Sequence, residues 1–373
     1  MNNKIINQFY KINNIANIER KNYKVKGTYY DNECIFLLKD LTNTIKEISI
    51  KEKENLIKKG VNYSEILSKE EPVPNSYNKL FMELLNKRVS DIAEYIATMG
   101  ESIYNEKGSN TVIVSLARAG TPFGILVKDY IKYQYNVDIP HYSISIIRGK
   151  GIDENALVYI LYKHPNAKIQ FVDGWTGKGS ITFELQKSIK EFNFKYDVSI
   201  DSNLAVLADP AKISYICGTR KDIIIPNCCL NSTVSGLISR TYHNPKDISE
   251  YDFHGVKVYW KFINEDYSRC FLEKIRSKLI NIKGKVIYHT TENYGQSIID
   301  KIAKEFNVSD KNKIKLSIGE TSRVLLRRIP KYLLIKNVNN PDIKHLLFMA
   351  KEKNVKIIHY DKTDYEVISI IKE

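Results

Sequence analysis

From Thr111 onward, short apolar runs alternate with stretches of helical period, and no other feature of the sequence restricts its fold so tightly. TVIVSL, HYSISII, KIQFVD, NLAVLAD and DIIIP are each closed by Gly, Asp, Arg or Pro. Between them, residues 122–133 and 181–189 carry apolar side chains at helical spacing. Strands that are apolar throughout are buried on both faces, and helical connections make neighbouring strands parallel. The alternation predicts βαβ units, an α/β fold with a mainly parallel sheet flanked by helices. Ligands of such sheets sit at the carboxyl ends of the strands. The unusual residues of this chain fall there.

The chain's 373 residues give room for two domains. The pattern divides them near 277–285, into 1–276 and a smaller α/β domain over 285–373. In the first domain, residues 1–50 read as mixed, β-rich material with GTYY and CIFLLKDL as strands. A charged helix follows Ile50, the prolines of NYSEILSKEEPVPNSY interrupt it, and Leu80, Leu84, Val89, Ile92 and Ile96 mark a helix over 77–103. In the second domain KVIYHT, KIKLSI, KYLLIKNV and VKIIHY read as strands, with helices over 295–306, 320–328 and 341–353.

Hydrophobic residues at 43% and charged ones at 27% are ordinary for a soluble globular chain. No window approaches the ~18 apolar residues of a membrane span. MNNKIINQFYKI has no apolar signal region, and five cysteines show no disulfide-like rhythm. A cytoplasmic, reducing location is expected. The net charge of +14 invites a nucleic-acid partner, although Lys is abundant everywhere. Residues 279–373 hold 18 Lys and Arg against 11 Asp and Glu, so half the excess lies on a quarter of the chain.

The chemistry concentrates in KIQFVDGWTGKGSITFELQ, an apolar strand ending at Asp173, a Gly-rich turn, and a helix beginning near Ser180. Backbone amides of residues 176–180, with the positive end of the helix dipole, form an anion site suited to a terminal phosphate. It is no Walker A loop, because Gly179 follows the GK pair. Upstream, TVIVSLARAGTPFGILVKDY is a strand, a small-residue loop and a helix entered through Thr121 and Pro122. Between the two lies YSISIIRGKGID, whose glycines hinge a cationic turn carrying Arg148 and Lys150, the physics of a lid. Each piece alone also reads as a plain β–α turn, helix entry or exposed basic turn. Their order on one parallel sheet points to a site.

These pieces resemble the phosphoribosyl-pyrophosphate motif of type I phosphoribosyltransferases. The resemblance implies that Asp173 holds ribose hydroxyls, and that Thr176, Gly177, Lys178, Gly179 and Ser180 hold the 5-phosphate. Ala117, Arg118, Ala119 and Gly120 would approach the diphosphate, with Arg148 and Lys150 closing over it. Mg²⁺ would bridge diphosphate and ribose, with no protein ligand directly assigned. The chain departs from the motif at Gly174, where the family has a second acid, and in a shorter interval from acid to TG.

LADPAKISYICGTRKDIIIPNCCLNSTVSGLISRT, with GTYYDNECIFLLKDL and NYSEILSKEE, resembles the bacterial family labelled cysteine protease StiP. That family is also described as the phosphoribosyltransferase of tellurium-resistance gene clusters, and the resemblance covers most of 24–270. It implies that Asp209, Gly218, Thr219, Arg220, Asn231, Ser232 and Arg240 line the acceptor side, although such residues are also common in turns and caps. IKLSIGETSRVLLRRIPKYLLIKNVNNPDIKHLLFMAKEKNVKIIHY resembles the Pelota-type RNA-binding domain over about 313–371. This implies RNA contacts from Lys315, Gly319, Glu320, Thr321 and Arg323.

The expected function is transfer of a phosphoribosyl group from phosphoribosyl pyrophosphate, with Mg²⁺, to a base or small nitrogen compound that the sequence does not identify. RNA is the expected second partner, and a homodimer is compatible with this reading. A nucleotide-sensing RNA-binding regulator without turnover is the first rival, favoured by Gly174. A thiol protease is the second, pairing Cys228 or Cys229 with His243 or His254. Nothing around CCLN resembles the papain or caspase signatures, and free Cys is more often simply buried.

Overall fold

Side chains that point alternately to the two faces of almost wholly buried strands sort the first domain into layers. The structure is a computed structural model and describes residues 2–16, 25, 27–327 and 329–372. Its first domain contains α1 (Asn3–Ala16), β1 (Ile35–Phe36), β2 (Lys39–Asp40), α2 (Ile50–Lys58), α3 (Asn75–Lys107), β3 (Thr111–Ala117), α4 (Thr121–Tyr135) and β4 (His141–Ile147). There follow β5 (Gly151–Ile152), α5 (Glu154–Lys163), β6 (Lys168–Trp175), α6 (Ser180–Tyr196), β7 (Leu204–Ala208), β8 (Cys217–Thr219), β9 (Gly255–Val256) and α7 (Ser268–Leu279). The second domain holds α8 (Tyr294–Glu305), β10 (Ile314–Leu316), α9 (Ile318–Arg327), β11 (Pro330–Ile335), α10 (Lys344–Glu352), β12 (Lys356–His359) and β13 (Val367–Ile371).

The main sheet runs β1-β4-β3-β6-β7-β8, every neighbouring pair parallel, with β5 added antiparallel to β4. Side chains alternate across each strand. Ile113, Val172 and Leu207 pack with Phe81, Phe123 and Phe271 of α3, α4 and α7. Val114, Phe171 and Val206 pack with Phe9, Leu157 and Leu185 of α1, α5 and α6. Each such burial contributes roughly 1.5–3 kcal/mol. The chain leaves β3 for β4 on one side and returns to β6 on the other. That reversal opens a crevice between the carboxyl ends of β3 and β6.

The second domain is a four-stranded sheet, β10-β13-β11-β12, with helices packed on it. Ile318, Leu325, Leu346 and Met349 belong to the same core cluster as Cys228, Cys229 and Val234, so one core runs through both domains. Among the described residues, no helix is long and apolar enough to cross a membrane.

Several local expectations are corrected. The start of the chain is helical, because Ile5, Phe9 and Ile12 recur at helical spacing and bury one face of α1, Phe9 stacking on Tyr162 at 3.6 Å. GTYY forms no strand, and CIFLLKDL yields only the short β1 and β2. DIIIP is not a strand either, since Pro226 opens a 3₁₀ turn over Pro226–Cys229. The strand at β6 runs two residues past Asp173, to Trp175. KVIYHT forms a strap instead of a strand, and β13 takes the place it was given in the second sheet. Ile287 N–H donates to Ser102 Oγ at 2.9 Å, Gly284 N–H to Tyr130 OH at 2.8 Å, and Tyr288 stacks on Tyr215 at 5.0 Å. These bonds pin the connection between the domains along α3 and α4.

Candidate functional site

The β6–α6 turn is built by one left-handed glycine and one threonine. Gly179 adopts φ +82° immediately before α6, a conformation that side-chained residues rarely take. Thr176 Oγ1 accepts from Gly179 N–H at 3.1 Å, and Thr176 N–H donates to Ala208 O at 3.0 Å. With those two amides committed to the protein, the anion reading rests on the amides of Gly177, Lys178 and Ser180 at the helix start. Burial, with the charges of Lys315 and Arg148, pushes the Lys178 ammonium down to about 8.

Asp173 and Trp175 share one face of β6, with Gly174 on the other. Asp173 is half-buried, and Gly174 N–H donates to its Oδ1 at 2.8 Å. Burial pushes its carboxyl up to about 6, opposed by that bond and by Arg323, and reinforced by Glu320. Packing leaves no room for a side chain at Gly174. A Cβ on Gly174 would stand 2.7 Å from Phe123 Cε2 in the closed core.

Across the crevice, Ala117–Gly120 turns from β3 into α4, and the Ala117–Arg118 peptide is cis. Gly120 takes the cap position, while Thr121 is the first helical residue, its hydroxyl 2.8 Å from Ser143 Oγ. Arg118 donates to Ile238 O at 2.7 Å and faces Glu70 at 3.4 Å. Glu70 Oε1 in turn accepts from Ser232 N–H at 2.9 Å and Ser232 Oγ at 2.5 Å. Arg240 joins this group, its guanidinium 5.7 Å over the Tyr63 ring and hydrogen-bonded to Ile66 O.

The cationic turn splits. Arg148 borders a groove of about 440 Å³ with Ser180 and Glu184, and Glu184 accepts from Gly149 N–H at 2.9 Å. Lys150 is held elsewhere, by Glu65 at 2.7 Å and His243 O at 3.1 Å. It lines a separate polar cavity of about 390 Å³ with Asp153, His243 and His254.

The acceptor-side residues also divide. Asn231, Ser232 and Arg240 lie in the Arg118–Glu70 neighbourhood. Asp209, Thr219 and Arg220 lie at the ends of β7 and β8. Fully buried Asp209 accepts from Ile213 N–H at 2.9 Å, from Ser214 N–H at 2.7 Å and from Arg220. Arg220 spends its other amine on Ser214 O and Thr290 O. Gly218 packs on Tyr95 of α3. This second group knits the turn to the interdomain strap.

The face of the C-terminal domain expected to meet RNA is docked onto the first domain. The Arg323 guanidinium lies 4.5 Å over Trp175, and Gly319 also packs on that ring. Glu320 lies against Gly177, and Thr321 is fully buried beneath Ser369. Lys315 stands on β10 beside Leu316, whose carbonyl touches the same loop. Buried Asp222 accepts from Ile318 N–H and Glu366 N–H, both at 3.0 Å, locking the arrangement.

Residues 27–276 match the family described as tellurite-like stress resistance cysteine protease StiP, and residues 293–373 match the PELOTA RNA binding domain. Cysteine protease StiP of Acinetobacter baylyi (strain ATCC 33305 / BD413 / ADP1) is 32% identical over 367 residues, spanning 93% of this chain and 94% of that protein. The chain belongs to the StiP family. Among solved structures, this StiP-family chain is similar to a hypothetical protein from Neisseria gonorrhoeae with bound ppGpp. That match has 15% identity over 43% of this chain and 86% of the other, at TM-score 0.24. It is also similar to a hypoxanthine-guanine-xanthine phosphoribosyltransferase, with 13% identity over 47% of this chain and 93% of that one, at TM-score 0.25.

The family's protease label directs attention to thiols. Cys228 and Cys229 are 1% and 3% exposed, inside the shared core. His243 and His254 are neighbours of each other at 4.7 Å and of Lys150, in a different part of the domain. The imidazole near Cys228 is His345, which sequence reasoning did not single out. Ser322 Oγ lies 2.8 Å from His345 Nε2, and hydrogen bonds with Cys229 first and with Ser322 second hold the Cys228 thiol below its usual value. With the domains docked, neither sulfur is exposed to a peptide.

Proposed function

We propose that this StiP-family chain binds an activated ribose 5-phosphate in the crevice between β3 and β6 and transfers its phosphoribosyl group to a nitrogen nucleophile. The observation that carries the proposal is the convergence, at the reversal point of a parallel sheet, of the Asp173–Ser180 turn and the Ala117–Gly120 loop. One offers a strand-end carboxylate and a helix N-terminus to a sugar phosphate. The other offers small residues and a guanidinium to a diphosphate.

Among the described residues, no three His, Cys, Asp or Glu side chains gather as a metal cage. A single half-buried carboxylate fits a Mg²⁺ held mostly by phosphate oxygens, so Asp173 is the residue that would hold it. When bound, Mg²⁺ supplies charge neutralisation at the diphosphate. In transfer, the C1–oxygen bond breaks and its electron pair leaves with the diphosphate. The acceptor nitrogen then donates a pair to C1 and loses a proton. Asp173 stabilises the positive charge that develops on the ribose, while Arg118 and Arg148 offset the charge of the leaving diphosphate. RNA contact by the C-terminal domain is part of the proposal. It requires the α9 face to leave Trp175.

Incubating the chain with phosphoribosyl pyrophosphate, Mg²⁺ and a panel of purine and pyrimidine bases should release pyrophosphate. Binding without release across the panel supports the nucleotide sensor instead. Absence of binding removes both.

Anion affinity should also depend on Lys178. The free ammonium deprotonates near pH 8, whereas a bound phosphate favours the charged form and raises that value. Affinity is therefore fully present below pH 8. It falls by up to about tenfold per pH unit above it, until the bound-state value is reached. Phosphate itself is already dianionic there, its second ionisation lying near 6. Lys178→Arg should flatten the profile between pH 7.5 and 9. An unaltered slope in that variant removes Lys178 from the site.

A further inference from the structure

Three segments of the C-terminal domain lie across the β6–α6 loop. A Cβ on Gly177 would stand 2.9 Å from Leu316 O and 3.0 Å from Glu320 Cγ, so that loop has glycine where the second domain presses on it. Tyr365 OH donates to Gly177 O at 2.8 Å. At the start of α8, a Cβ on Gly295 would lie 3.2 Å from Lys178 Cα. Arg323 covers Trp175, which shares its strand face with Asp173. The open groove at the start of α6, lined by Arg148, Ser180 and Glu184, is also lined by Asn312 of the second domain. A sugar phosphate seated on this loop would meet both domains.

We propose that the phosphoribosyl site is shared between the domains, with Arg323 and Lys315 acting as anion-binding side chains beside Lys178 and Arg148. The proposal rests on the phosphoribosyl reading and deepens it. The Arg323 guanidinium lies 4.5 Å over the Trp175 ring, with Glu320 3.8 Å from it. Its buried Nε has no protein acceptor among the described residues. A planar, preoriented donor fork of this kind suits phosphate oxygens. Lys315 is one residue from the carbonyl that contacts Gly177, and its charge and that of Arg148 both act on Lys178. Lys178, Arg148 and Lys315, from three segments and two domains, interact here, partly offset by Glu320 and Asp310, and a bound anion would relieve their repulsion. β10 and α9 thereby serve the small-molecule site whenever the domains are docked.

Titration calorimetry of the full chain with phosphoribosyl pyrophosphate and Mg²⁺ tests this. Arg323→Ala and Lys315→Ala should each weaken binding roughly 10- to 100-fold, as expected for a lost charge-assisted hydrogen bond. Arg323→Lys should fall between wild type and Arg323→Ala. Lys313→Ala, which removes an equal charge two residues from Lys315, should leave affinity within a factor of two. Because Arg323 also packs on Trp175, the Lys315 and Arg323→Lys variants decide the matter even if Arg323→Ala loosens the docking. Wild-type affinity in both alanine variants, or equal losses for Lys313→Ala and Lys315→Ala, overturns the shared site and leaves the phosphoribosyl reading standing. A wild-type chain that does not bind the ligand removes the reading itself.

Discussion

Asp173→Asn is expected to reduce phosphoribosyl transfer at least 100-fold while leaving the fold as stable as before, or more so. The catalytic loss follows from removing the carboxylate at the strand end that faces the developing charge on ribose. Single electrostatic groups of this kind are worth about 10²–10³ in rate. The stability effect has the opposite sign, because burial raises the carboxyl in the folded chain to about 6, above the roughly 3.9 of an unfolded Asp. The folded state therefore resists ionisation. This penalty is absent below about pH 4, grows between pH 4 and 6, and is fully present above. Asn keeps the acceptor for Gly174 N–H, which now meets Oδ1 at 2.8 Å, and escapes the penalty. Thermal melts at pH 4 and 7.5 should show no difference at the lower pH and an equal or higher midpoint for the variant at the higher one. Pyrophosphate release within a few-fold of wild type would remove Asp173 from the site. A collapsed melting curve at pH 7.5 would reveal a structural role.

The parallel sheet was legible because its signal is local. TVIVSL, HYSISII and NLAVLAD are buried on almost every residue, and runs of that kind have few other uses. The Asp173–Ser180 turn was legible for the same reason, its glycine, threonine and helix start lying within eight residues. The docking of the second domain was not. Asp222 reaches Ile318 across 96 residues and Glu366 across 144, and Tyr365 reaches Gly177 across 188. No window contains both partners of such contacts. Glu70 escaped notice because a carboxylate in a charged stretch reads as solvated until Arg118 and Ser232 are placed beside it. The helix at the N-terminus is a different case, since Ile5, Phe9 and Ile12 carried its period in plain view. So is β13, whose VISII run was a complete buried-strand signal. The acceptor-side group divided because Arg220 pairs with Asp209 and ties it to the strap, which residue type alone does not show.

Gly174→Asp, which restores the second acid of the phosphoribosyl motif, should cripple the chain instead of improving it. The new Cβ would lie 2.7 Å from Phe123 Cε2 and 3.2 Å from Cδ2. Phe123 is fully buried and packs edge-to-face with Phe271 at 6.0 Å, so the ring has nowhere to go. Overpacking of this kind costs about 1–3 kcal/mol. A carboxylate forced among aromatic rings without a partner adds several more. A total above ~4 kcal/mol lowers the melting midpoint by roughly 5 °C or more in a chain of this size. Gly174→Ala isolates the steric part and should fall between Gly174→Asp and wild type. Phe123→Ala should cost about 3–5 kcal/mol alone, but combined with Gly174→Ala the two losses should fall short of their sum, because the cavity receives the methyl group. Strict additivity, or a Gly174→Asp chain that melts like wild type and binds phosphoribosyl pyrophosphate more tightly, would show that something other than packing keeps the acid out. The single-carboxylate site would then be a functional choice, which is the signature expected of a sensor.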